Sequence, residues 1–154
     1  MNHIEELRTL VGHRPILMVG AAILIQDSHQ RLLLLQRSDS QAWGLPGGAV
    51  EPGEVVEDAA RRETLEETGL EVGELELFGV FSGPDLFYEY PNGDQVHNVT
   101  IIYQTRLPHA IVRLNGEHID WNFFPLVDIP ADISPPLIPV IREYLIRQSH
   151  LPVG

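Results

Sequence analysis

No cysteine occurs among the 154 residues. A disulfide framework, a thiolate metal site and a cysteine nucleophile are therefore excluded, and a cytoplasmic location is the expectation. Basic residues are scarce: 10 Lys and Arg stand against 22 Asp and Glu, a net charge of −12. Double-stranded nucleic acid is thereby set aside as a partner, because its phosphates call for Lys and Arg patches. A small phosphorylated substrate remains compatible if bound cations offset the acids. Long apolar runs are missing too. The longest, Ile16 to Ile25, is shorter than the ~20 residues a bilayer span needs, so no membrane association is expected. Glu5 and Glu6 precede it and no small-residue cleavage site follows, so it reads as a buried strand rather than a signal-peptide core. No repeat, linker or low-complexity tract interrupts the chain.

The chain is 44% hydrophobic, with Gly 13 and Pro 12. That composition fits a single folded domain over residues 1–154 with many turns. Asn2 to Gly12 reads as a short amphipathic helix for packing or dimer contact. Leu17 to Gln26 and Arg31 to Arg37 read as a strand hairpin about Asp27-Ser28-His29-Gln30. Leu32 to Leu35 do not alternate with polar residues, so both faces of that strand are expected to be covered. A strand region follows over Glu71 to Phe81. Strands Leu86 to Tyr90 and Val96 to Arg106 are joined by Pro91-Asn92-Gly93-Asp94, an Asn-Gly hairpin signal. Gly116 to Phe124 reads as loop and strand, Pro125 to Ile129 as a loop with short helical potential, and Leu137 to Gln148 as a closing helix begun by prolines. The order predicts an α/β (α+β type) fold with a mixed β-sheet between helices.

Gly47 to Leu70, GGAVEPGEVVEDAARRETLEETGL, organises the rest. A glycine pair and a Glu51-Pro52-Gly53 turn lead into a helix that stops at Gly69. Offsets of three and four place Glu63, Glu66 and Glu67 on one side, on or beside the side of Val56, Ala59, Ala60 and Leu70. Acids thus stand where Leu or Ile would continue a packing stripe. Clustered, partly buried carboxylates resist ionisation unless a hard divalent cation joins them. A solvated acidic face is the commoner meaning of three Glu taken alone. Gly47 and Gly48 allow backbone to approach a metal or phosphate where a Cβ would clash. Arg37 and Asp39, each taken alone, read as surface residues. Trp43 reads equally as a core plug or a base-stacking platform. His97 and His118 could face the site, but a lone histidine is more often structural or exposed.

Gly48, Glu54, Arg62, Glu63, Glu66, Glu67 and Gly69, with Leu70 as the closing aliphatic, resemble the signature of the Nudix (MutT-like) hydrolases. The likeness extends to Leu45-Pro46-Gly47 and, more loosely, to the strand order and Trp121-Asn122-Phe123-Phe124-Pro125. Thr64 departs from the pattern, which has Ile, Leu or Val there; looser local packing and an intact site are expected. The resemblance implies a Nudix-like α/β/α sandwich. It also implies Mg²⁺- or Mn²⁺-dependent hydrolysis of a nucleoside diphosphate linked to another group, such as ADP-ribose, diadenosine polyphosphates or nucleoside triphosphates. Glu63, Glu66, Glu67 and the Gly48 carbonyl would be ligands, with Glu117 as a further acid and Asp120 second to it. Glu63 or Glu66 would serve as base beside Arg62. A charge-assisted bond between Glu54 and Arg62 would brace the loop, with Gly47 and Gly69 shaping it.

Arg37, Trp43 and Tyr88 are the substrate-contact candidates. Phe87, Tyr88 and Tyr90 beside the hairpin turn are further stacking candidates, though such aromatics more often pack. Pro84 and Tyr88 point to different substrates, ADP-ribose and diadenosine polyphosphates respectively. A homodimer is the further implication. A non-catalytic nucleotide or ADP-ribose sensor on the same fold is the competing class, but sensors tend to lose motif acids and all are present. An isoprenoid diphosphate isomerase would need a cysteine.

Overall fold

The computed structural model describes residues 1–151; the last three residues of the expected 1–154 domain lie outside the described residues. Helix α1 (His3–Val11) starts with a capping box: Asn2 accepts from the Glu5 N–H, and Glu5 reaches back to Asn2. Strands β1 (Ile16–Gln26), β2 (Leu32–Arg37), β3 (Trp43–Gly44) and β4 (Gly47–Ala49) precede helix α2 (Val56–Thr68). Strands β5 (Glu76–Phe81), β6 (Phe87–Glu89), β7 (Gln95–Arg106) and β8 (His118–Phe124) follow, and helix α3 (Ile138–Ser149) closes the order.

The strands form one mixed sheet. Its main path runs β3-β2-β1-β7-β5, with β4 added to β1, β6 to β7 and β8 to β2. The pair β1 and β7 is parallel, in register from Ile16 with Val96 to Gln26 with Arg106, and the other pairs are antiparallel.

Both faces of the sheet are covered near its centre. Ala22 and Leu24 of β1 and Leu32 and Leu34 of β2 pack with Val140, Ile141 and Tyr144 of α3. Ala21, Ile23 and Ile25, with Leu33 and Leu35, pack with Ala59 and Ala60 of α2. That is why Leu32 to Leu35 carry no polar alternation.

Four expectations need correction. The segments Leu17 to Gln26 and Arg31 to Arg37 were expected to pair as a hairpin, but β1 and β2 meet only at Gln26 and Leu32. The segment containing Leu45 to Ala49 takes β1 instead: Ile23 N–H donates to the Pro46 carbonyl at 3.0 Å, and Gly20, Ala21 and Ala22 pair with Ala49, Gly48 and Gly47. Ser38 to Trp43 was expected to be all loop, yet Trp43 opens β3. The strand expected over Glu71 to Phe81 begins only at Glu76, and a 3₁₀ turn at Pro84–Leu86 shortens the one expected over Leu86 to Tyr90. Among the described residues no helix is long and apolar enough to cross a membrane.

Candidate active site

The divergence of β1 and β2 seats the glycine pair directly against α2. Gly47 N–H donates to Glu67 Oε1 at 2.9 Å. A Cβ on Gly47 would lie 2.6 Å from Ala22 Cα, so the two strands meet there only without a side chain. A Cβ on Gly48 would lie 2.5 Å from the Glu63 carboxyl carbon. Helix α2 then stops where Gly69 turns left-handed, φ 71°, and its N–H closes on the Leu65 carbonyl.

The three helix acids have different surroundings. Glu67 is 3% exposed. Burial pushes its carboxyl up to about 8, helped by Glu63 and Glu117 and opposed by the Gly47 N–H. Glu63 is half-buried and also raised, by burial first, with Arg62 opposing. Glu66 is exposed and stands 3.5 Å from Arg62. Behind them Thr64 fills the aliphatic position of the pattern, fully buried, with its hydroxyl unpartnered among the described residues.

Arg62 ties loop to helix. Its Nε donates to Glu54 Oε2 at 2.7 Å and one terminal nitrogen to Glu54 Oε1 at 2.9 Å. It also reaches Glu63 at 2.9 Å and the Ala49 carbonyl at 3.1 Å. Glu54 in turn accepts from the Glu51 N–H, and Arg62 holds it below the usual carboxylate range. The bond expected between Glu54 and Arg62 is thus present as a two-point fork.

Strand β8 brings in residues from outside this stretch. Its pairing with β2 slips between Gln36 and Arg37: Asp120 pairs with Gln36, but His118 pairs with Arg37. The extra residue, Ile119, is exposed. Trp121 and Phe123 face the α2 side. Strict alternation would send residue 118 to the opposite side; the bulge returns it to the side of Glu67. His118 Nε2 accordingly lies 3.4 Å from Glu67 Oε2. Burial, with Arg37, lowers its imidazole to about 4. Carboxylate oxygens of Glu67 and Glu117 and a ring nitrogen of His118 all fall within 4.8 Å of one another.

A cleft adjoins the glycine pair. Arg37, Tyr88, Tyr90 and Asn98 line it, with Leu45, Gly47, Gly48 and Pro136. Arg37 forks onto Asp39 at 2.9 and 2.8 Å, which raises the guanidinium and lowers Asp39 to about 2. The same guanidinium lies 5.8 Å from the Tyr90 ring centre, and Tyr88 meets Tyr90 edge-on at 4.9 Å.

The structure therefore brings Arg37 and Tyr88 together with Gly47 and Gly48. Trp43 goes elsewhere. Its ring meets Phe124 edge-on at 5.0 Å in the core beneath α3, and it is absent from the cleft lining. Sequence reasoning left His118 between facing the site and the commoner structural or exposed role; its approach to Glu67 depends on a one-residue bulge that no local pattern announces. His97 packs at a tilt against Phe87, 5.1 Å between ring centres. Asn98, Leu45 and Pro136 were not singled out as cleft residues, since nothing local separates them from other strand and turn residues.

The donor set fits a hard divalent cation. Oxygen ligands dominate, a buried carboxyl ionises reluctantly without a counter-charge, and the space beside Glu63 is one that a Cβ on Gly48 would fill.

A mixed sheet with an acid-bearing helix against a glycine pair brings the signature residues Gly48, Glu54, Arg62, Glu63, Glu66 and Glu67 into one region. Residues 16–144 match the NUDIX domain, and the chain belongs to that family. An ADP-ribose pyrophosphatase of Methanocaldococcus jannaschii is 34% identical over 109 residues, 69% of this chain and 61% of the relative. A MutT-like protein of Streptomyces ambofaciens is 40% identical over 67 residues, 44% of each. The solved structure of a MutT NUDIX hydrolase from Burkholderia pseudomallei has a TM-score of 0.67 at 29% identity, covering 86% of this chain and 97% of that one. The chain spans about half the length of the curated relatives it matches.

Proposed function

We propose that the protein is a Mg²⁺- or Mn²⁺-dependent hydrolase that cleaves the pyrophosphate of a nucleoside diphosphate joined to a second group. One observation carries the reading: Glu67 is buried beside Glu63, Glu117 and the Gly47-Gly48 pair, at the edge of a cleft lined by Arg37 and two tyrosines. Glu63, Glu66, Glu67, Glu117 and the Gly48 carbonyl would hold the cations. Bound there, divalent ions neutralise phosphate oxygens and acidify water. Glu63, half-buried with a raised carboxyl, is the better placed of the two candidate bases, since Glu66 is the more exposed of the two. Arg62 orients Glu63 through its direct hydrogen bond. Arg37, Tyr88 and Tyr90 would receive the nucleoside, where a base can stack on the rings and the guanidinium. ADP-ribose is the first substrate to try, in keeping with the Methanocaldococcus relative. We also assign a homodimer contact to α1, supported by its exposed Leu10; a monomeric mass by light scattering overturns it.

A panel of nucleoside diphosphate derivatives and triphosphates, each with Mg²⁺ or Mn²⁺, tests the activity by release of phosphate or nucleotide. Glu67→Gln lowers turnover by on the order of 10³-fold with the fold retained. Wild-type turnover in that variant, or full activity after exhaustive chelation, overturns the reading. Release from no member of the panel favours the sensor.

A further inference from the structure

The two oxygens of Glu67 face different neighbours. Oε1 accepts from the Gly47 N–H at 2.9 Å, while Oε2 faces His118 Nε2 at 3.4 Å. The imidazole is 6% exposed, and its Nδ1 is buried with no partner among the described residues. Of the two ring nitrogens, then, Nε2 is the one with an acceptor in front of it. The neutral tautomer protonated there places an N–H on Glu67 and leaves the bare lone pair at Nδ1. The ring owes this place to the bulge in β8 opposite Gln36 and Arg37. That bulge is tied down on the Glu117 side, where the Glu117 carbonyl accepts from both the N–H and the hydroxyl of Ser38, at 3.0 and 2.9 Å.

We propose that His118 is a positioning residue that fixes the plane of the Glu67 carboxylate through its Nε2–H, opposite the Gly47 N–H. The proposal rests on the reading of Glu67 as a cation ligand. Once Glu67 is ionised, the Gly47 N–H on one oxygen and the imidazole N–H facing the other set the direction of its remaining lone pairs toward a cation. Partners of this kind shape metal affinity without touching the metal. A ligand role for the imidazole fits less well, because a histidine that binds metal almost always donates its second ring N–H to a partner, and Nδ1 has none among the described residues.

Mn²⁺ binding to the full chain, followed by the loss of the free-ion EPR signal, tests this apart from turnover. His118→Gln keeps an amide N–H at the reach of Nε2; His118→Leu keeps bulk and removes the donor. The expected result is a Kd for Mn²⁺ raised about ten- to a hundredfold in His118→Leu and no more than about threefold in His118→Gln. Pulsed EPR of the Mn²⁺-loaded wild type is expected to lack the strong ¹⁴N coupling of a bound imidazole. That measurement keeps the test alive if the Leu variant does not fold. An unchanged Kd in folded His118→Leu, equal weakening in both variants, or a directly coordinated nitrogen overturns the proposal. Glu67→Gln separates it from the broader reading. If Glu67→Gln loses Mn²⁺ while His118→Leu keeps it, only the positioning role fails; if Glu67→Gln binds Mn²⁺ like the wild type, the ligand reading fails.

Discussion

The Glu63 carboxylate rests where the side chain of residue 48 would be. A methyl group on Gly48 would stand 2.5 Å from its carboxyl carbon and 2.7 and 2.8 Å from its oxygens. Gly48→Ala therefore has to move either the acid or β4. β4 is held by its pairing with β1, so the carboxylate moves. Displacing one charged group of a preorganised site is expected to lower turnover on the order of 10²- to 10³-fold. The melting temperature should change little. Gly73→Ala is the control, because nothing lies within 4 Å of that Cβ. Steady-state kinetics and thermal melts of both variants check this; a fully active Gly48→Ala would contradict it.

Arg62 and Glu54 hold the loop to the helix through a planar fork. A lysine carries the charge but not the fork. Arg62→Lys is expected to cost about 1–3 kcal/mol of stability, given what hydrogen bonds to charged groups contribute. The loss should be local, so limited proteolysis is expected to cut first between residues 50 and 55. Cutting elsewhere first, or an unshifted denaturation midpoint, would count against the bracing role.

The central stretch was legible because its spacing encodes a helix face, and the burial of Glu67 follows from that face. The covered sheet was legible from Leu32 to Leu35 for the same kind of reason. The site's other half was not. The pairing of Gly47 to Ala49 with β1 depends on β1 and β2 separating after one pair. The place of His118 depends on a register slip. Both are relations between distant segments, and neither leaves a periodic trace. Trp43 shows the limit from the other side: a tryptophan ahead of a glycine loop suits a base platform or a core, and the position of Phe124 decides it.

Arg37 and Trp43 should therefore fail in different ways. Arg37 lines the cleft and lies by Tyr90, so Arg37→Ala is expected to raise KM about tenfold with kcat within a few-fold, the mark of lost substrate binding. Trp43→Ala opens a hole beside Phe124 and is expected to cost about 3–5 kcal/mol of stability, with KM held in whatever protein stays folded. Kinetics and chemical denaturation on the two variants check the split. The reverse pattern would move the nucleoside site to Trp43.

Buried Glu67 makes stability fall with pH over a window where most proteins are steady, once the opposing effect of His118 has ended. Glu67 sits at about 8 against an ordinary 4.5, so the folded protein holds a proton that the unfolded chain releases. His118 sits at about 4 against an ordinary 6.5, so the unfolded chain holds a proton that the folded protein refuses. Between pH 4.5 and 6.5 the two effects oppose each other and nearly cancel. Above 6.5 the imidazole is neutral in both states and Glu67 acts alone. From there to about 8 the metal-free protein is expected to lose up to about 2 kcal/mol, roughly 1.4 kcal/mol per pH unit. That corresponds to about 4–8 °C in Tm for a chain of this size. Glu63, also raised by burial, acts in the same direction. A cation at the site replaces the proton, so Mg²⁺ or Mn²⁺ should stabilise more at pH 8 than at pH 6.5, and binding should release protons. Thermal melts in chelator across the window, repeated with Glu67→Gln, measure it. The wild-type slope should flatten in the variant, and a Tm that rises from pH 6.5 to 8 in the metal-free wild type would show that Glu67 is already ionised.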